Sequence, residues 1–187
     1  MRCVTNRPRI LAAALVVALG AMPAQAFQLD PAGNPGLVRT TNALEPGLAA
    51  PASVAESIAG EEITLEAFAG QYVILEFWAM WCAPSYPKIP YLRELWSNYG
   101  GKGLQIIGIS LDGEQRLPDL QPFMERHAIT WPQVLEGPRT EGPVTELYDV
   151  VGIPDSYLIG PDGTIIARNL RIEELAREVR MRLGSSE

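Results

Sequence analysis

The sequence predicts an α/β domain built in three layers, and three observations carry that expectation. Residues 72–79 and 104–111 are nearly continuous apolar runs, the texture of strands buried on both faces of a parallel sheet. Between them Ile89, Leu92, Trp96 and Tyr99 recur at spacings of three and four, which marks a helix with one buried face. Pro161-Asp162-Gly163 then separates two further apolar stretches, 156–160 and 164–168, and signals a hairpin.

Each element can be justified in order. Ile63, Leu65 and Phe68 suggest a short edge strand and a turn, closed by Gly70. The first core strand, 72–79, is interrupted once, by Glu76. The second, 104–111, is framed by Gly100, Gly101 and Gly103 before it and by Asp112-Gly113 after it. Strand, helix and strand in that order imply a right-handed crossover. Residues 117–127 read as a second helix broken or bent at Pro122, 133–135 as a short strand and 144–150 as a short helix. Ile172, Leu175, Ala176, Val179 and Leu183 then give an amphipathic closing helix. No internal repeat is visible.

The ends and the charge bound the setting. Arg2, Arg7 and Arg9, an apolar run at 10–19 and Ala24-Gln25-Ala26 have the layout of a signal peptide over residues 1–26. That run is too short to span a bilayer; an uncleaved N-terminal anchor is the alternative. Residues 27–55, rich in Ala, Pro, Gly and Asn, read as a flexible tether, and 56–187 as the folded domain. Removing the leader takes away three of the 15 basic residues and no acid. The remainder carries 12 basic against 22 acidic residues, a net charge of −10 with His127 neutral. Such a surface repels phosphate backbones and anionic lipid. An exported protein, periplasmic or secreted, is expected, monomeric, binding neither nucleic acid nor membrane once the leader is gone.

The cysteines narrow the chemistry. Cys3 falls in the expected leader, so Cys82 is expected to be the only thiol of the mature chain, in a compartment where disulfides persist. One Cys and one His do not build a structural zinc site, which needs about four such ligands. Cys82-Ala83-Pro84-Ser85-Tyr86 also lacks the second Cys and the His of a c-type haem attachment. No metal or cofactor is expected.

Trp81-Cys82-Ala83-Pro84 follows the first core strand, and Ser85 stands where a dithiol centre would carry its second sulfur. A Cys at the first turn of a helix faces unsatisfied N–H groups and the positive end of the dipole, which favour thiolate over thiol. Pro84 suits a helix start, where a missing N–H costs little. Ser85 has a hydroxyl to offer the sulfur, but it cannot attack a mixed disulfide, so an outside thiol must release one. The plainer alternative makes Cys82 a packed small hydrophobe. Glu76, inside a buried strand, is expected to have a raised pKa and either to move protons or to be a structural carboxylate held by a backbone or Lys partner.

Taken together these motifs resemble the thioredoxin superfamily and, within it, the secreted thiol-disulfide oxidoreductases of the TlpA/ResA type, over residues of about 60–184. The stretches that carry the likeness are GEEITLEAFAGQYVILEFWAMWC, LQIIGISLD, HAITWPQVL and VVGIPDSYLIGPDGTII, with Pro90 eight residues after Cys82. The resemblance implies a thioredoxin-like three-layer sandwich, a central mixed sheet flanked by helices. It makes Cys82 the attacking cysteine, puts Ser85 in the place of the resolving one, and puts Glu76 where the family has a buried proton-shuttling acid. Gly152-Ile153-Pro154 matches the cis-proline loop, which offers backbone groups to an extended substrate. Trp81, Ala83, Pro84, Ile153 and Pro154 are the substrate-binding residues this implies.

The chain departs from the family pattern in several places. Asp155 stands where a Thr is more usual and is expected to oppose ionisation of Cys82. Lys88 stands where relatives commonly have Glu, and Pro87 adds a bend ahead of Pro90. The peroxidase branch of the fold needs a Thr or Ser three residues before its Cys and a Pro further upstream; here Ala79 and Leu75 occupy those places. His127 and Trp131 read as packing residues. The implied activity is monothiol exchange with protein thiols or disulfides through Cys82, with a membrane-bound or soluble thiol reductant as a further partner. Two alternatives stand beside it: a non-catalytic module that holds extended peptides, and a dithiol enzyme whose second Cys was replaced by Ser85 to trap complexes.

Overall fold

The two central strands are apolar on both faces, so layers assemble on each side of them, because successive side chains point to opposite faces. The computed structural model describes residues 44–138 and 142–184 together with the backbone of Cys3–Val4. The rest of the expected leader, and positions 27–43 of the expected tether, lie outside the described residues. The strands are β1 (Cys3–Val4), β2 (Val54–Glu56), β3 (Glu62–Thr64), β4 (Tyr72–Trp78), β5 (Leu104–Ser110), β6 (Gln133–Leu135), β7 (Gly152–Ile153), β8 (Asp155–Ile159) and β9 (Ile165–Arg168). The helices are α1 (Ile89–Tyr99), α2 (Leu117–His127), α3 (Pro143–Leu147) and α4 (Ile172–Leu183).

The main sheet has the order β6-β5-β4-β8-β9. β4 runs parallel to β5 and antiparallel to β8, so the sheet is mixed and β4 is its centre. Val73, Leu75 and Phe77 face one core cluster, with Ile107, Ile109, Tyr148 and Tyr157. Ile74 and Trp78 face the other, against Leu92 and Leu95 of α1 and Leu175 and Val179 of α4. Glu76 shares the parity of Ile74 and Trp78, and so it points toward the layer of α1. Two small two-stranded pairings, β2 with β3 and β1 with β7, complete the strands. Among the described residues no helix is long and apolar enough to cross a membrane.

Two expectations need correction. Residues 44–55 are not a tether but part of the fold. Gly47 N donates to Ile165 O and Ile165 N to Leu48 O, each at 2.8 Å, and Tyr148 Oη donates to Pro51 O at 3.0 Å. Leu44, Ala50 and Ala55 pack on the core, so backbone groups of this Ala-rich stretch are satisfied by docking rather than by water. Secondly, the helix expected after Cys82 begins as a 3₁₀ segment, Ala83–Lys88, and becomes α-helical only at Ile89. Pro84, Pro87 and Pro90 lack the N–H that α-type bonds would need there. Pro122, by contrast, sits inside a continuous α2.

Candidate active site

The loop between β4 and the 3₁₀ segment is held by the neighbouring strand. Leu111 N donates to Trp78 O at 2.8 Å. Met80 N donates to Asp112 Oδ2 at 2.9 Å, and the same oxygen accepts from Ser110 Oγ at 2.9 Å. Trp78 is fixed in turn by its Nε1, which donates to Gln133 Oε1 at 2.9 Å. Tyr86 closes the loop from the far side by donating its hydroxyl to Met80 O. Sequence reasoning missed Asp112, Gln133 and Tyr86 as supports. Asp112-Gly113 was legible as a strand terminator only.

Cys82 caps the 3₁₀ segment at its N-terminus. Its Sγ lies 3.5 Å from the carbonyl oxygen of Ile153, and the Ile153–Pro154 peptide is cis. Ser85 N donates to Cys82 O at 2.8 Å, and Pro84 has no N–H. Cys82 is fully buried, and in the full chain it stands in the disulfide state. The expected lone thiol is therefore not what the full chain carries; that expectation belongs to a chain without its first 26 residues.

The remaining expected site residues gather round this sulfur unevenly. Trp81 is 49% exposed, Ala83 is exposed, Pro84 and Pro154 are half-buried, and Ile153 is buried. Val151 (51%) and Tyr86 (36%) add exposed apolar surface that the sequence did not single out. Ser85 is buried, and among the described residues its Oγ has no hydrogen-bond partner. The expected donation from Ser85 to sulfur is thus not made. Instead Ser85 lines a small cavity with Glu76, Trp78, Ile89, Leu92, Ile129 and Trp131.

Glu76 is the second centre of the site. Lys88 Nζ donates to both its carboxylate oxygens at 2.9 Å and reaches Ser156 Oγ at 3.4 Å. Both residues are buried. Burial pushes the Glu76 carboxyl up to about 7, with Lys88 opposing the rise and Asp155 adding to it. Asp155 does not simply confront the sulfur: Oδ1 accepts from Ser156 N at 2.8 Å, and Oδ2 lies 3.5 Å from Arg168. Its charge is paired with that guanidinium. His127 stacks on Phe123 at 4.2 Å and lies 6.1 Å from Tyr86, and Trp131 is buried; both are packing residues.

A model of the AhpC/TSA family matches residues 46–168, a span that contains the site and the sheet around it. The chain belongs to the AhpC/TSA family. This AhpC/TSA protein is 32% identical over 123 residues to the thiol-disulfide oxidoreductase ResA of Bacillus thuringiensis subsp. konkukian (strain 97-27), covering 66% of this chain and 68% of that one. To the ResA of Geobacillus kaustophilus (strain HTA426) it is 31% identical over 136 residues, covering 71% and 75%. The thioredoxin domain of a thiol-disulfide oxidoreductase from Bacteroides vulgatus superposes with a TM-score of 0.66 at 32% identity, over 75% of this chain and 99% of that one. A thiol:disulfide interchange protein from Bacteroides sp. gives 0.65 at 29%, over 78% and 94%. The thioredoxin-like fold follows from these superpositions and from the mixed five-stranded sheet. Within this AhpC/TSA protein, Ala79 is buried and carries no hydroxyl toward Cys82.

Proposed function

We propose that this chain is an exported thiol-disulfide exchange protein in which Cys82, once reduced, is the attacking sulfur. The observation that carries the reading is the seat of Cys82: the N-cap of the Ala83–Lys88 segment, with its sulfur 3.5 Å from the carbonyl that precedes Pro154. There the thiolate attacks one sulfur of a partner disulfide. A Cys82–partner disulfide forms, the partner's S–S bond breaks, and the departing thiolate takes a proton. Ser85 has no sulfur to resolve this, so an external thiolate attacks the partner sulfur of the mixed disulfide, forming a partner–external disulfide and releasing Cys82 as the thiolate.

An extended partner segment is accommodated along β7, beside the sulfur. Support comes from β7 itself, which pairs antiparallel with Cys3–Val4, Cys3 opposite Ile153 and Val4 opposite Gly152, the strand-addition mode. Trp81, Ala83, Pro84, Ile153 and Pro154 form the contact surface. The same edge supports the second reading, a module that holds extended peptides without exchange.

The test uses a chain beginning at Phe27, reduced and mixed with an oxidised model protein. A mixed disulfide that maps to Cys82 and persists until external thiol is added is the expected result. Retention of the partner without any covalent adduct would favour the binding module.

A further inference from the structure

The turn that carries Cys82 is joined to the sheet beneath it by one buried side chain of unexpected sign. Lys88 lies six residues after Cys82, at the end of the same 3₁₀ segment. Its ammonium reaches down to β4 and β8, bonding both oxygens of Glu76 and approaching Ser156. The neighbouring hydroxyl of the turn, Ser85 Oγ, lines the same cavity as Glu76 yet bonds to nothing among the described residues. A carboxylate whose two oxygens both accept from one ammonium has its lone pairs directed at that ammonium. It is not aimed at the position beside Cys82.

We propose that Lys88 is a positioning residue that turns the Glu76 carboxyl onto itself and away from Cys82, uncoupling the buried acid from the reacting sulfur. The proposal rests on the reading that Cys82 is the attacking sulfur. The groups that face Glu76 are few. From the turn comes Lys88. From β8 come Asp155, whose charge is shared with Arg168 of β9, and Ser156, which does not titrate at neutral pH. β5 contributes Gly108, directly opposite in register, with no side chain. Ile89 and Leu92 on the α1 side are apolar. Removing Lys88 leaves burial and Asp155 acting on the carboxyl, both of which raise it. Freed of the ammonium, the carboxyl holds its proton to higher pH and is able to turn into the cavity beside Ser85. Two groups titrating there would share their protons, and the sulfur would no longer ionise in a single step.

The experiment is the pH dependence of iodoacetamide alkylation of the reduced full-length chain, read at Cys82 by mass spectrometry of its peptide. The wild-type chain and the neutral pair Lys88→Met/Glu76→Gln should give the same one-step profile. Lys88→Met alone should give two steps, or a midpoint displaced by about one pH unit. Lys88→Arg, which keeps the cation, should keep the single step and serves also if Lys88→Met does not fold. A merely structural lysine would not produce a change that removal of Glu76 reverses. The proposal is overturned if Lys88→Met coincides with wild type, or if the double variant keeps the two-step profile. Failure of Cys82 to form a mixed disulfide would defeat the exchange reading separately, since alkylation needs no partner.

Discussion

Gln133 reaches across Gly108 to accept a hydrogen bond from Trp78 Nε1, at 2.9 Å. The middle strand makes this possible by carrying no side chain there. A Cβ on Gly108 would lie 2.1 Å from Gln133 Oε1, so Gly108→Ala must push the amide aside. Trp78, which starts the loop to Cys82, then loses its anchor. A loss of about 1–3 kcal/mol is expected from the orphaned buried donor, with Gln133→Ala falling in the same range. Urea unfolding followed by tryptophan fluorescence measures both.

Ser85 carries a buried hydroxyl without a partner among the described residues, a group that costs folding free energy. Ser85→Ala should therefore raise stability by about 1 kcal/mol, and a fall of similar size would mean that the hydroxyl is bonded. Ser85→Cys should give a disulfide with Cys82 and end the accumulation of mixed disulfide. A covalent complex as abundant as before would sink the one-sulfur explanation.

Glu76 links stability to pH. Its carboxyl is raised from 4.5 to about 7 in the folded chain, so the fold holds that proton more tightly than the unfolded chain does. The stability this contributes is complete below pH 4.5 and is lost as pH rises through about 7. Unfolding free energy measured across that window should fall more steeply in wild type than in Glu76→Gln. Equal slopes would show that Lys88 offsets burial.

Glu136 holds the start of α3 with one carboxylate. It accepts from Val144 N at 2.7 Å, Thr145 N at 2.8 Å and Thr145 Oγ1 at 2.6 Å. Glu136→Ala strands these donors in a buried place and should cost about 3 kcal/mol. Glu136→Gln, which keeps one accepting oxygen, should cost less. Thermal melts that rank the two the other way would contradict the assignment.

Local pattern made much of this legible. The apolar runs of β4 and β5, the three–four spacing of α1 and the turn residues of the β8–β9 hairpin lie where the sequence puts them, because each signal is short-range. Docking of 44–55 was not legible, because it depends on backbone groups of β9 far along the chain and no side-chain period announces it. Lys88 and Glu76 were each visible as odd residues, and a lysine partner was one alternative for Glu76. That these two meet follows only from how the 3₁₀ segment packs over the sheet. Val151 and Tyr86 are ordinary apolar residues in sequence, and only their exposure beside Cys82 sets them apart.

The docked segment has a further consequence. Near its start its backbone bonds the β9 edge, through Gly47, Leu48 and Ala49 against Thr164 and Ile165. At its end Ser57 and Ile58 meet β6 at Val134 and Gln133. One stretch of chain thus occupies both borders of the main sheet. Unpaired sheet borders invite pairing with any extended chain, a route to aggregation. With these points engaged by the chain's own backbone, the main sheet offers less open edge to a strand from another molecule.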